Sequence, residues 1–161
     1  MKKIVTLTQF ILIAFILASC SQQDRISIET SSQDTQLLFA LDEIEKAAED
    51  KAYKVSISKS LNAESSNQIL VKVVSDSTLS VQIAKDDKLK MQQDFGWQCY
   101  AIRIKETGGQ KIIYVLSGDD TGAMYGALDI AEALRFGTIN DISDSDNKPY
   151  IAARDQMEHA T

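Results

Sequence analysis

Histidine is all but missing from this chain of 161 residues: the only one is His159, in a polar C-terminal stretch. That scarcity argues against a Ser-His-Asp triad, a Cys-His pair, or a zinc site with two or more histidine ligands. Cysteine is nearly as scarce, with Cys20 and Cys99 alone. Neither has a CxxC companion, which removes the dithiol redox and thiolate-metal motifs. There is one proline, Pro149, and no internal repeat at solenoid spacing. Basic charge is also short. The net charge of −6 excludes a surface built to neutralise phosphates, so no nucleic-acid partner is expected. The acidic residues are scattered and read as a solvated, solubilising surface. The most apolar run, residues 11–17, is too short for a convincing transmembrane helix.

That run has a different meaning. Lys2 and Lys3 precede it, and Leu17-Ala18-Ser19-Cys20 closes it with small residues before a cysteine. Residues 1–20 therefore read as a secretory signal of the bacterial lipoprotein kind, with Cys20 the lipidated first residue of the mature chain. Acyl chains there would hold the protein on a membrane of the bacterial envelope, either at the outer membrane or on a periplasmic or extracellular face. Each buried methylene adds about 0.8 kcal/mol. Cys99 is then left without a disulfide partner and reads as a small apolar residue on a strand.

The remainder divides into a tether with an edge strand (21–33), an α/β domain (34–137) and a linker-like tail (138–161). Residues 25–30 alternate weakly, as an edge strand would. Over 35–51, Leu37, Leu41, Ile44 and Ala48 recur at helical spacing, and Ser32 or Asp34 can cap the start. Residues 53–58 alternate again, and the strand-helix-strand order favours a parallel pair with a crossover. Residues 61–67 form a polar loop, and 68–74 read as an interior strand. Residues 79–84 (LSVQIA) alternate cleanly and read as a further strand, followed by a surface loop over 85–94. Strand character resumes at 97–105, and Thr107-Gly108-Gly109-Gln110 turns it into a hairpin with 111–116. The sum is an α+β two-layer sandwich, a mixed sheet of five or six strands with two main helices.

The stretch 111–137 is the densest in information. A strand apolar on both faces leads to Gly118-Asp119-Asp120-Thr121-Gly122, then to a helix ending at Gly137. Gly118 suits a tight turn, Asp119 or Asp120 can cap the helix, and Gly122 with Gly126 forms a strip allowing close approach to another backbone. A glycine turn into a helix can hold an anion, and paired carboxylates can bind a cation or serve as acid and base. The P-loop lysine is missing, however, and two carboxylates repel a phosphate, so helix capping is the better reading. Asp86-Asp87 and the run 141–146 (DISDSD) suggest calcium loops. The latter lacks the central glycine and terminal glutamate of an EF-hand and reads as a solvated loop. Among Trp97, Tyr100, Tyr114 and Tyr125 as sugar-stacking faces, only Trp97, beside Gly96, is placed for exposure.

The run YAIRIKETGGQKIIYVLSGDDTGAMYGALDIAEALR resembles the N-terminal domain that precedes the catalytic barrel in several glycoside hydrolases, the α-glucuronidases and β-N-acetylhexosaminidases among them. The matching residues are Tyr100, Ile102, Ile104, Gly118, Asp120, Gly122, Tyr125, Gly126 and Leu128. Those enzymes follow the helix with a Pro-x-Ile-x-x-Arg-Gly linker into the barrel. Here Pro149, Ile151 and Arg154 match, but Asp155 stands where glycine is expected. The resemblance implies a non-catalytic accessory domain of a carbohydrate-active enzyme, truncated before its barrel, with no cofactor and no catalytic residue to carry over. Its partner would be a catalytic barrel, in the same polypeptide or another, and exposed apolar surface on one side would mark the docking face. The alternatives are a stand-alone glycan-binding or scaffold lipoprotein with an aromatic platform around Trp97, and a small hydrolase working through Asp119 and Asp120.

Overall fold

A computed structural model describes residues 24–61, 68–91 and 95–148. The signal segment with Cys20, most of the polar loop before 68, the barrel-linker residues from Pro149 onward and His159 lie outside the described residues. The elements in chain order are β1 (Arg25–Thr30), α1 (Thr35–Asp50), β2 (Lys54–Ser58), β3 (Ile69–Val74), α2 (Ser77–Asp86), β4 (Tyr100–Thr107), β5 (Gln110–Ser117), α3 (Asp120–Phe136) and β6 (Ser145–Asn147). The strands form one six-stranded sheet in the order β2-β1-β3-β5-β4-β6. The first four are mutually parallel, and β4 runs antiparallel to both of its neighbours. This is the expected α+β sandwich with a mixed sheet. None of the described helices is long and apolar enough to cross a membrane.

Side chains alternate across the sheet, so each strand serves two faces. Ile26 and Ile28 of β1, Val71 and Val73 of β3, and Ile113 and Val115 of β5 form one apolar face, with Ile102 of β4 beside them. Helices α1 and α3 cover it, burying Leu37, Leu41 and Ile44 from α1 and Ala123, Ala127, Ile130 and Leu134 from α3. The small residues of α3 set how closely it lies. A Cβ at Gly122 would stand 2.5 Å from the Cys99 carbonyl oxygen and collide with Ser117 Oγ, and one at Gly126 would collide with Val115 and the Tyr100 ring. The glycine strip therefore seats α3 on β4 and β5. Gly118 is there for the same reason, because an added Cβ would strike the Phe95 carbonyl oxygen. The true turn glycines are Gly108 and Gly109, both with positive φ (57° and 81°), which close the hairpin at the Thr107–Gln110 pair. Gly137 ends α3 in the left-handed conformation (φ 73°).

The opposite face carries Leu70, Val74, Ile112, Tyr114 and Leu116 under the shorter helix α2. Three expectations change here. Residues 79–84 are helical, within α2. Asp76 caps that helix by accepting from Leu79 N (2.7 Å), and Leu79 and Ile83, four apart, both pack on this face. Over six residues an alternating pattern also satisfies the i, i+4 spacing, and the cap decides between them. β1 is not an edge strand but lies between β2 and β3. Its polar positions Ser27 and Glu29 are buried rather than solvated, Ser27 bonding across to Ser56 (2.9 Å) and Glu29 pairing with Lys72 (3.4 Å). Within the tail from 138, Ile139 is buried and Ser145–Asn147 form β6 against β4.

Candidate functional site

At the carboxyl ends of the parallel strands, where open α/β sheets commonly present ligand sites, three segments meet. They are the first turn of α1, the first turns of α3, and the turn that leads into β4. Between them lies a groove of about 630 Å³ lined by Thr35, Gln36, Phe39, Trp97, Gln98, Thr121, Met124 and Tyr125. Trp97 is 70% exposed, Phe39 56% and Tyr125 43%. Three large rings thus share one opening instead of entering either core.

The paired aspartates build this rim. Asp119 Oδ1 accepts from Gly122 N (2.6 Å), capping α3, while its Oδ2 accepts from Gln98 N (2.7 Å). One carboxylate therefore ties the helix start to the Trp97 turn, in which Gln98 adopts a positive φ of 59°. Asp120 Oδ1 accepts from Ser32 Oγ (2.6 Å), and Ser32 Oγ in turn accepts from Asp34 N (3.1 Å). Asp34 caps α1 by accepting from Gln36 N (2.8 Å) and Leu37 N (3.3 Å). The two helix starts and the Trp97 turn are thus one hydrogen-bonded unit. Asp119, with both oxygens committed to backbone donors, is poorly placed to exchange protons with a substrate, and Asp120 is held to Ser32 by one oxygen.

No family model matches the chain, and no curated protein matches it. Among solved structures, the chain is similar to a GH138 enzyme described as targeting pectin rhamnogalacturonan II. The identity is 18% and the TM-score 0.49, over 80% of this chain and 16% of that one. The chain thus spans about one sixth of that enzyme's length.

A second cavity, of about 530 Å³, opens on the α2 face between Lys59, Leu61, Lys72, Ile83, Asp87 and Tyr114. Asp87, the C-terminal cap of α2, accepts from Tyr114 Oη (2.6 Å) and from Lys105 Nζ (2.5 Å). Partial burial pushes the Asp87 carboxyl upward, but these two donors outweigh it, leaving the group below its ordinary range. Burial, followed by the hydrogen bond to Asp87, raises the Tyr114 hydroxyl well above its usual value. Glu29 is fully buried, and among the described residues neither of its oxygens finds a hydrogen-bond partner. Among the described residues its carboxyl group is paired at 3.4 Å with Lys72, whose Nζ also donates to the Leu61 carbonyl (2.9 Å).

The other residues singled out by sequence are engaged structurally. Cys99 is buried. Asp86 is the last residue of α2, Asp144 Oδ1 accepts from Ile104 N (2.9 Å), and Asp146 pairs with the buried Arg103 guanidinium. Among the described residues, no group of three or more His, Cys, Asp or Glu is arranged to hold a metal. Tyr125, considered as a stacking face but not expected to be exposed, is 43% exposed and lines the groove, and Phe39 is the ring that sequence reasoning did not single out. Phe39 carried a usable signal: two positions after Leu37, it falls far off the stripe of Leu37, Leu41 and Ile44 that packs on the sheet.

Proposed function

We propose that this chain is a non-catalytic accessory domain of a carbohydrate-active enzyme, serving degradation of polysaccharide or glycoconjugate at a bacterial envelope. Acyl chains on Cys20 hold it to the membrane, and its partner is a glycoside hydrolase barrel, in the same polypeptide or another, or the polysaccharide itself. The observation that carries this reading is the contrast at the groove: Asp119 caps α3 and Asp120 bonds to Ser32, while three rings stand exposed. Such a site works by contact. The resemblance of residues 100–135 to the domain that precedes glycoside hydrolase barrels supports the same assignment.

A reducing-sugar assay on plant and mucin polysaccharides tests it. The chain alone should release no sugar, whether wild type or Asp119→Asn/Asp120→Asn. Turnover by the wild type that disappears in the double variant would establish the small-hydrolase alternative instead. The other reading, a stand-alone glycan-binding surface lipoprotein, is favoured by the exposure of Trp97 and makes the polysaccharide the direct ligand.

A further inference from the structure

Resting on the accessory-domain reading, we infer that the groove between α1 and α3 is a subsite for a neutral glycan, stacked on Trp97 and flanked by Tyr125 and Phe39. Every described side chain there is uncharged, and the polar groups are two threonine hydroxyls, two primary amides, the Tyr125 phenol and the Trp97 indole N–H. The side-chain amides of Gln36 and Gln98 each offer donors and an acceptor to a ligand that presents both, as vicinal hydroxyls do. A pyranose has an apolar C–H face and a hydroxylated rim, which suits exposed rings interleaved with amides. Ligand sites of this size are mostly apolar, with a few polar groups fixing orientation.

Charge selects among glycans. Among the described residues, the acidic groups built into the rim are the capping side chains of Asp34 and Asp119 and that of Asp120 in the first turn of α3, with no lysine or arginine in the lining. Their charge already occupies the positive ends of both helix dipoles and would repel a uronate. The groove therefore takes neutral sugars, N-acetylated ones included, and discriminates against acidic polymers.

Trp97 is the single tryptophan of the chain, so intrinsic fluorescence reads this groove directly. The full chain is titrated with xylohexaose and with chitohexaose, and in parallel with hexagalacturonic acid. A saturable change in emission with at least one neutral oligosaccharide and none with the acidic one is the expected result. Tyr125→Ala should weaken that binding roughly tenfold, the scale of one lost ring contact, with circular dichroism unchanged. Phe39→Ala, on the other wall, serves as a second variant. Saturation by the galacturonide alone overturns the neutral assignment, as does binding that neither variant weakens. An emission change caused only by a glycoside hydrolase barrel overturns the glycan subsite and leaves the accessory-domain reading standing. Sugar release by the chain alone would remove that reading instead.

Discussion

The two faces of the sheet are built on opposite principles. Under α1 and α3 the strands present an almost unbroken aliphatic surface, and the helices answer with leucine, isoleucine, alanine and glycine. Under α2 the same strands present Glu29, Lys72, Arg103 and Lys105 around a smaller apolar cluster. The first face is held by burial, which is additive and tolerant of exchange among similar shapes. The second depends on particular partners, because each charge withdrawn from water needs its mate. One face specifies layer order, and the other specifies which side chain must meet which.

The largest break in that comparison is expected at Lys72. Lys72→Met leaves the Glu29 carboxylate buried and uncompensated, and should cost about 3–5 kcal/mol in urea unfolding. Glu29→Leu/Lys72→Met should recover most of it. A Lys72→Met loss below about 1 kcal/mol would show that the pair is not what holds this face. On the aliphatic face the sensitive point is closeness of approach. Gly122→Ala should cost about 1–3 kcal/mol, since the Cys99 carbonyl cannot move aside without shifting β4, and an unchanged midpoint would refute the close seating of α3. Asp76→Ala should cost about 1 kcal/mol by uncapping α2. Hydrogen exchange should then quicken in α2 ahead of α1 and α3, and uniform quickening would count against the independence of the two faces.

The smallest effect is a titration that both faces share. Tyr100 is raised by burial and by its bond to Asp129, as Tyr114 is by burial and Asp87. A raised folded value means that this stability is fully present below the unfolded tyrosine value of 10.0. It is lost as pH climbs toward the higher folded values. The wild type should therefore lose stability progressively above pH 10, the ordinary tyrosine value, and Tyr100→Phe/Tyr114→Phe should flatten that limb. Superimposable alkaline denaturation curves would sink the assignment.

What could be read from the chain follows the same division. The aliphatic face was legible because periodicity is its own evidence: Leu37, Leu41 and Ile44 mark α1, and residues 111–116 announce β5. The polar face was not. Ser27 and Glu29 alternate with isoleucines just as solvent-facing residues would, and only the positions of Ser56 and Lys72 reveal that both are buried. LSVQIA fits both periods, and what selects helix lies outside it, in the Asp76 cap. Ser145–Asn147 carries no apolar residue, so β6 has no pattern to find. Its place is fixed by Arg103 reaching the Ser145 carbonyl (2.7 Å). At the groove, Trp97 was visible as an isolated aromatic beside glycine. The aspartates were visible as a pair, but their joint role in fastening two helix starts to a turn depends on residues as distant as Ser32 and Gln98.

The clasp between Arg103, Asp146 and the Ser145 carbonyl also covers part of one sheet edge. β4 is eight residues long, and β6 covers only Tyr100, Ala101 and Ile102, while Asp144 occupies the next outward amide, that of Ile104. Cut at Gly137, where the last helix ends, the domain would offer β4 as an open template on which a second molecule could lay a strand. Cut after Asn147, it keeps its own stopper.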